Sequence, residues 1–359
     1  MKELEGLKVG IVFGCYAPMH QGHLDLVFKA KKECDAGVII IVCGSDNDRG
    51  CRIGLPLEKR FQYIMDFFQD DELVKVIAID ESKLAIAEYP NGWDKWLEVF
   101  KQMYQTMNVL ERCWYVGEED YQKQLAKRGE TAVYVNRNKN QISATLIRQN
   151  PLLYWHKIVP TFRHHFSHNI LITGTASEGK STLVNDLSKY FSTVSTVEYG
   201  KESLLESQID ERYLKVEDYL NFLENQYQLT KTKINSKENN GVFFADTDNL
   251  VTRMYAEYYA TDNDFTLSLN DYKLIEKEAV KYNEKYRWDK IFLIYPHNKF
   301  VDDGIRYMKH SKLEIRLKMY EILCEYLKEA RLWDKVVVLN GDYYENFIII
   351  CDYVKELLK

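Results

Sequence analysis

Apolar residues fall along this chain in two alternating patterns. Short unbroken runs, rich in Val and Ile, occupy residues 7–13, 38–43, 74–79, 115–117 and 132–135, and again 170–172, 241–246, 290–295 and 336–339. Runs this short predict buried strands. Between them the apolar positions recur at helical spacing. Leu24, Val27, Phe28 and Ala30 share a face, as do Leu183, Leu187 and Phe191, and Leu313, Leu317, Tyr320, Leu323, Cys324 and Leu327. Helices are also expected over 56–68, 93–103, 216–234, 250–259 and 347–358. Regular alternation of strand and helix implies an α/β chain with doubly wound parallel sheets, whose ligands sit at the carboxyl ends of the strands.

Length and composition narrow this further. The chain has 359 residues, enough for about two or three domains. It is 46% hydrophobic with a net charge of −6, which fits a globular protein and argues against a general nucleic-acid binder. Its seven cysteines are scattered and form no C-x-x-C pair. That reads as reduced thiols of a cytoplasmic protein, not a disulfide framework or zinc site. The apolar run 9–13 is too short for a signal peptide, and nothing approaches the ~18 apolar residues of a membrane span. The 26 tyrosines point to no particular function, since tyrosine suits cores and stacking surfaces equally.

The sharpest chemistry follows the strand at 170–172. Gly174-x4-Gly179-Lys180-Ser181 lies between that strand and the helical pattern of Leu183, the context of a phosphate-binding P-loop. The glycines let the backbone curl so that its N–H groups face a phosphate, and the next helix adds its positive end. Gly174, Glu178, Gly179, Lys180, Ser181 and Thr182 are expected to hold ATP, with Lys180 reaching the outer phosphates and Ser181 ligating Mg²⁺. Such a loop needs a nearby acid. Asp246, ending the run 241–246, is the first candidate and Asp248 the second; Asp248 suits equally the N-cap of the following helix.

The first half carries a weaker pattern. Gly14-x-Tyr16-x-Pro18-x-His20-x-Gly22-His23 stands where the first strand meets the first helix, a natural place for an anion. Two imidazoles there can donate to phosphate oxygens, although histidines near a turn are commonly surface residues. Further on, Ser143 is a good N-cap for a helix carrying Thr145 and Arg148, and Arg148 can neutralise phosphate charge.

Together these stretches resemble the nucleotidyltransferase superfamily, which joins a nucleotide to a small phosphate ester. The order of the two halves is similar to the NadR family, in which nicotinamide mononucleotide (NMN) adenylyltransferase is fused to ribosylnicotinamide kinase. Tyr89-Pro90-Asn91-Gly92-Trp93, Glu198-Tyr199-Gly200, Asp246-Thr247-Asp248 and Val301-Asp302-Asp303-Gly304-Ile305-Arg306 extend the likeness over nearly the whole chain. The resemblance implies a Rossmann-like nucleotidyltransferase domain over 1–150, a linker over 151–167 and a P-loop kinase over 168–359. It implies that Gly14, His20, Gly22, His23, Ser143, Thr145 and Arg148 bind ATP, with His20, His23 and Arg148 catalytic. Tyr16 and Trp93 would meet NMN, Trp93 either stacking on the pyridinium or anchoring its own helix. In the kinase half Lys180 and Asp246 would be catalytic and Ser181 and Asp246 would hold the metal. Asp246, Asp248, Phe300, Asp302, Asp303 and Arg306 would bind the riboside.

The resemblance implies small-molecule partners, nicotinamide riboside, NMN and ATP, with room for a homo-oligomer. Some family members carry an N-terminal helix-turn-helix domain and repress transcription. This chain starts almost at its first strand, so that role is not expected here. Two departures stand out: Phe300 replaces a usual Trp, and Lys201 a usual Arg. The aromatic segment with Lys157, Arg163, His164 and His165 is expected to pack on a domain, with its histidines on a solvated face. Arg316 is expected to face solvent. Two rival functions remain: a coenzyme A synthase-type adenylyltransferase and kinase, and a nucleotide sensor with one inactive site.

Overall fold

The computed structural model describes residues 4–104, 109–136, 142–301 and 307–359, and the chain divides into two compact units, Met1–Phe166 and Ser167–Lys359. In the first unit β1 (Gly6–Gly14), β2 (Val38–Gly44), β3 (Val74–Asp80), β4 (Val109–Val116) and β5 (Ala132–Tyr134) form one parallel sheet. Helices α1 (Gln21–Glu33), α2 (Leu57–Phe67), α3 (Trp93–Tyr104), α4 (Glu119–Ala126) and α5 (Ala144–Gln149) connect or follow the strands. Every residue of β2 is buried, as an inner parallel strand requires. Helix α1 lies close on β1: a Cβ on Gly10 would stand 2.7 Å from that of Ala30. The strand order β3-β2-β1-β4-β5 reverses between β1 and β4. Connections leave on opposite faces there, so a crevice opens at the strand ends.

Residues 151–166 belong to this unit. Ile158 pairs antiparallel with His20, and the Val159 N–H donates to the Met19 carbonyl at 3.1 Å. In α6 (Pro160–Arg163) the Thr161 hydroxyl donates to the Tyr63 carbonyl at 2.7 Å. His164 Nε2 lies 2.8 Å from the Tyr63 hydroxyl and His165 Nε2 2.8 Å from the Ile53 carbonyl. The histidines therefore do not form the solvated face the sequence suggested. Burial, then the neighbouring His165, push the His164 imidazole down to about 4.

The second unit has the strands β6 (His168–Gly174), β7 (Ser195–Thr196), β8 (Val242–Asp246), β9 (Lys290–Ile294) and β10 (Val336–Leu339), again all parallel, in the order β10-β9-β6-β8-β7. Its helices are α7 (Lys180–Tyr190), α8 (Tyr199–Ser207), α9 (Val216–Ile234), α10 (Asn249–Ala260), α11 (Leu269–Asn283), α12 (Leu313–Glu329) and α13 (Tyr343–Leu357). Helix α13 begins earlier than its apolar stripe because Asp342 and Glu345 form a reciprocal capping box, with both bonds at 2.9 Å. β6 is the middle strand, so the loop leaving it stands at the centre of the sheet edge, between β8 and β9. No helix among the described residues is long and apolar enough to cross a membrane.

Candidate functional site

In the first unit a cleft opens where the sheet order reverses, at the ends of β1 and β4. Gly14, Tyr16, His20, His23, Ser143, Thr145 and Arg148, seven of the expected residues, line it together. β1 ends at Gly14, and the chain turns through Tyr16 at φ +51° before α1 begins. The two imidazole rings stack at 3.9 Å between centroids. The His20 N–H donates to Nδ1 of His23 at 3.3 Å. In neutral His23 this leaves the proton on Nε2, so the other edge of the ring is a donor. Gly22 does not itself line the cleft; a Cβ there would come within 3.3 Å of the His20 ring, so its smallness leaves room for the imidazole.

Ser143 caps α5 as expected, accepting from the Leu146 N–H at 3.2 Å. Arg148 is held from two sides: Nη1 donates to the Ala17 carbonyl at 2.7 Å and Nη2 to Thr145 Oγ1 at 2.9 Å. Burial and then Arg49 lower its pKa from the usual value. A guanidinium stays charged regardless, so the cleft concentrates positive charge. Arg49, which the sequence reading missed, lines this cleft and the adjoining cavity as well. The loop that carries it is fixed by Asp48, whose Oδ1 accepts from the Gly50 and Cys51 N–H groups at 2.7 and 2.9 Å. Buried Arg60 meets the other oxygen of Asp48.

The adjoining cavity has aromatic walls and an acidic corner. Trp93 is 6% exposed and packs edge-on against Phe13, with centroids 5.8 Å apart, and Tyr121, at 5.6 Å. It thus anchors α3, one of its two anticipated roles, and also lines the cavity. Glu81 stands in the same wall; burial first, then Asp48, raise its pKa.

In the second unit the loop from β6 to α7 has the backbone its sequence demands. Gly174 sits at φ +146°, and a Cβ there would come 2.9 Å from the Ile294 carbonyl oxygen. Gly179 adopts φ +77° and opens α7. Lys180 lies along the loop, its Nζ donating to the Thr175 carbonyl at 2.7 Å, while Ser181 and Thr182 are exposed on the first turn of α7. Asp246 ends β8 on the neighbouring strand and is 1% exposed. The Ser181 hydroxyl bonds this carboxylate, yet its Oδ1 has no hydrogen-bond partner. Burial raises the Asp246 pKa to about 6, against the pull of Lys180.

Three expectations change here. Asp248 takes the capping role: Oδ1 accepts from the Leu250 N–H and Oδ2 from Trp288 Nε1, both at 3.0 Å. Its carboxylate is sealed into the core, so it offers nothing to a riboside. The Glu178 side chain is taken up by an ion pair with Arg316, at 2.5 Å, and accepts from the His297 and Asn298 N–H groups at 3.4 and 3.3 Å. Arg316 accordingly does not face solvent. Phe300 is half-buried; Asp302, Asp303 and Arg306 lie outside the described residues.

The charges of Glu198 and Lys201 act on Asp246, and both residues line a small pocket with Glu211, Tyr219, Phe222 and Tyr255. Glu211, unnoticed in the sequence, is 5% exposed and accepts from the Tyr259 hydroxyl at 3.0 Å and the Tyr307 N–H at 2.6 Å. Its isolation between two polar neighbours in sequence gave no signal.

Comparison with known proteins covers both units. Residues 11–150 match a cytidylyltransferase-like family model and residues 169–346 an AAA domain model. The trifunctional NAD biosynthesis/regulator protein NadR of Salmonella typhimurium is 29% identical, the match covering 98% of this chain and 83% of that protein; its Escherichia coli counterpart is 28% identical over the same shares. A crystal structure of NadR protein in complex with NR is 35% identical with a TM-score of 0.86, covering 100% of this chain and 98% of the other. A NadR structure in complex with NAD and AMP-PNP gives 36% identity and a TM-score of 0.84, covering 99% and 97%. With both halves and their order matched end to end, the chain belongs to the NadR family.

Proposed function

We propose that this protein makes NAD in two steps, one in each unit. In the kinase step, over residues 168–359, the 5′-hydroxyl of nicotinamide riboside attacks the γ-phosphorus of ATP, displaces ADP and gives NMN. Lys180 and the loop N–H groups neutralise the phosphoryl oxygens. Asp246 orients the hydroxyl or takes its proton, burial having raised its carboxyl above the ordinary range. Ser181 and Asp246 would hold Mg²⁺, since the unpartnered Oδ1 beside a hydroxyl is a hard oxygen donor set. Bound there, the ion supplies positive charge to the outer phosphates. The pocket of Glu198, Glu211, Tyr219 and Phe222 receives the riboside, with aromatic faces for the pyridinium and carboxylates for the ribose hydroxyls.

In the second step, over residues 1–150, the phosphate of NMN attacks the α-phosphorus of another ATP and displaces pyrophosphate. His20, His23, Arg49 and Arg148 stabilise the departing charge, and NMN lies along the cavity of Trp93 and Tyr121. Positioning and electrostatics supply the catalysis without a covalent intermediate.

The observation that carries this reading is that each unit gathers its phosphate-binding groups at the carboxyl edge of its own sheet. Solved relatives hold NR in one case and NAD with AMP-PNP in another, which favours this substrate pair over coenzyme A precursors. The test follows products of ATP, Mg²⁺ and nicotinamide riboside. NMN followed by NAD is expected. NMN alone would remove the adenylyl step, and neither product would remove the whole reading.

A further inference from the structure

The P-loop contains a carboxylate. Between Gly174 and Ser181 the chain reads Gly-Thr-Ala-Ser-Glu-Gly-Lys-Ser, and Glu178 stands two residues before Lys180, in the loop that must receive the most highly charged part of ATP. Left bare, an anion there opposes triphosphate binding. The structure disposes of that charge. The Glu178 side chain is fully buried, and Oε1 meets Nη1 of Arg316, itself 4% exposed, at 2.5 Å. Nη2 of Arg316 continues to the Asn298 carbonyl at 2.8 Å, while Oε2 of Glu178 accepts from the His297 and Asn298 N–H groups. Next to it the Ser177 hydroxyl lies 3.2 Å from both the N–H and the carbonyl of Val301. The loop is therefore clasped to the segment after β9 and to the first turn of α12 by one buried ion pair and its satellites.

We propose that Arg316 is a positioning residue of the kinase site: it neutralises and anchors Glu178, making a loop with an acidic residue fit to bind a triphosphate. It acts through Glu178 and does not meet the nucleotide. This rests on reading the loop as the ATP site of the kinase.

The two charges make the idea testable by subtraction. In Arg316→Met the Glu178 carboxylate is uncompensated, and the KM for ATP in riboside phosphorylation rises by about tenfold or more, with a smaller loss in kcat. Glu178→Gln alone stays within a few-fold of the parent protein. The double variant E178Q/R316M, with neither charge, recovers most of the lost ATP affinity. Adenylyl transfer to NMN, measured on the same samples, reports an intact chain. If Arg316→Met loses both activities, the comparison of E178Q/R316M with E178Q carries the test. A double variant whose KM remains tenfold raised overturns the proposal, because Arg316 would then bind ATP itself or serve only as scaffold. An unchanged KM in Arg316→Met overturns it too. If the parent protein phosphorylates no riboside, it is the kinase reading that fails, and the proposal with it; parent turnover with unrescued variants removes the role of Arg316 alone.

Discussion

Asp246 is buried at the end of a strand with one oxygen unpartnered, and both facts have consequences. Its pKa of about 6 exceeds the ordinary carboxylate value. The folded state therefore holds a proton more tightly than the unfolded chain, and stability is lost as pH rises from the ordinary carboxylate range through about 6. By linkage that cost at neutral pH is about 3 kcal/mol at most. Asp246→Asn is expected to abolish riboside phosphorylation while raising the unfolding temperature of the second unit; calorimetry beside a kinase assay checks both signs. Phosphorylation by the parent protein should fall as pH drops below neutrality, because protonating Asp246 removes both its metal ligation and its hold on the hydroxyl. Gly174→Ala meets both a positive φ and the Ile294 carbonyl, so kinase turnover should fall at least about tenfold, with adenylyl transfer as the control. In the other unit, Arg49→Met should slow adenylyl transfer by about tenfold or more, measured as pyrophosphate release. Residues with fixed spacing, such as His20, His23 and the P-loop, could be placed at the strand ends from the sequence because their pattern is local; Gly22 lies beside the cleft and not in its lining. Arg49 was not, because it reaches the cleft on a loop held by Asp48. The Glu178–Arg316 pair joins positions 138 apart in the chain, and no local pattern announces it.

Elements with a continuous stripe were readable; those with one anchor were not. Helix α9 spans Val216–Ile234, as its periodicity indicates, because it buries residues on successive turns. Helices α4 and α8 bury only Leu125 and Leu204 respectively, and α11 only Ile275 and Ala279. One or two contacts leave no period to detect. Capping chemistry was more informative: Ser143 and Asp248 mark where their helices start, their side chains accepting an N–H of the first turn. The segment carrying α6 was legible as aromatic and packed, but its partner α2 was not, since Thr161 and His164 find Tyr63 about a hundred positions away in the fold. His164 is kept neutral in the folded state, with its pKa near 4, whereas in the unfolded chain it protonates near 6.5. Its contribution is present above that value and is lost as pH falls from about 6.5 towards 4. Unfolding of the first unit followed across that range should show the loss, and His164→Gln should flatten it.

At the scale of the whole molecule, two parallel sheets each gather the residues of one candidate site at their own carboxyl edge. That duplication predicts clean separation by mutation. Lys180→Ala should stop NMN formation from riboside yet still convert supplied NMN to NAD, whereas His23→Ala should let NMN accumulate; chromatography of the products distinguishes the two. The α/β class was evident from alternation alone. The order of strands was not, because which strand lies beside which depends on long-range pairing. The bridge from His20 to Ile158 adds a constraint of timing. The turn that bears His20 and His23 is made early in synthesis, but the strand partner that clasps it is made some 140 residues later. A ribosome has to release the chain past Val159 before that turn is fastened from both sides. A fragment ending at residue 150, where the family motif stops, would leave the turn with a loose flank, while one ending at residue 166 would carry its own buckle.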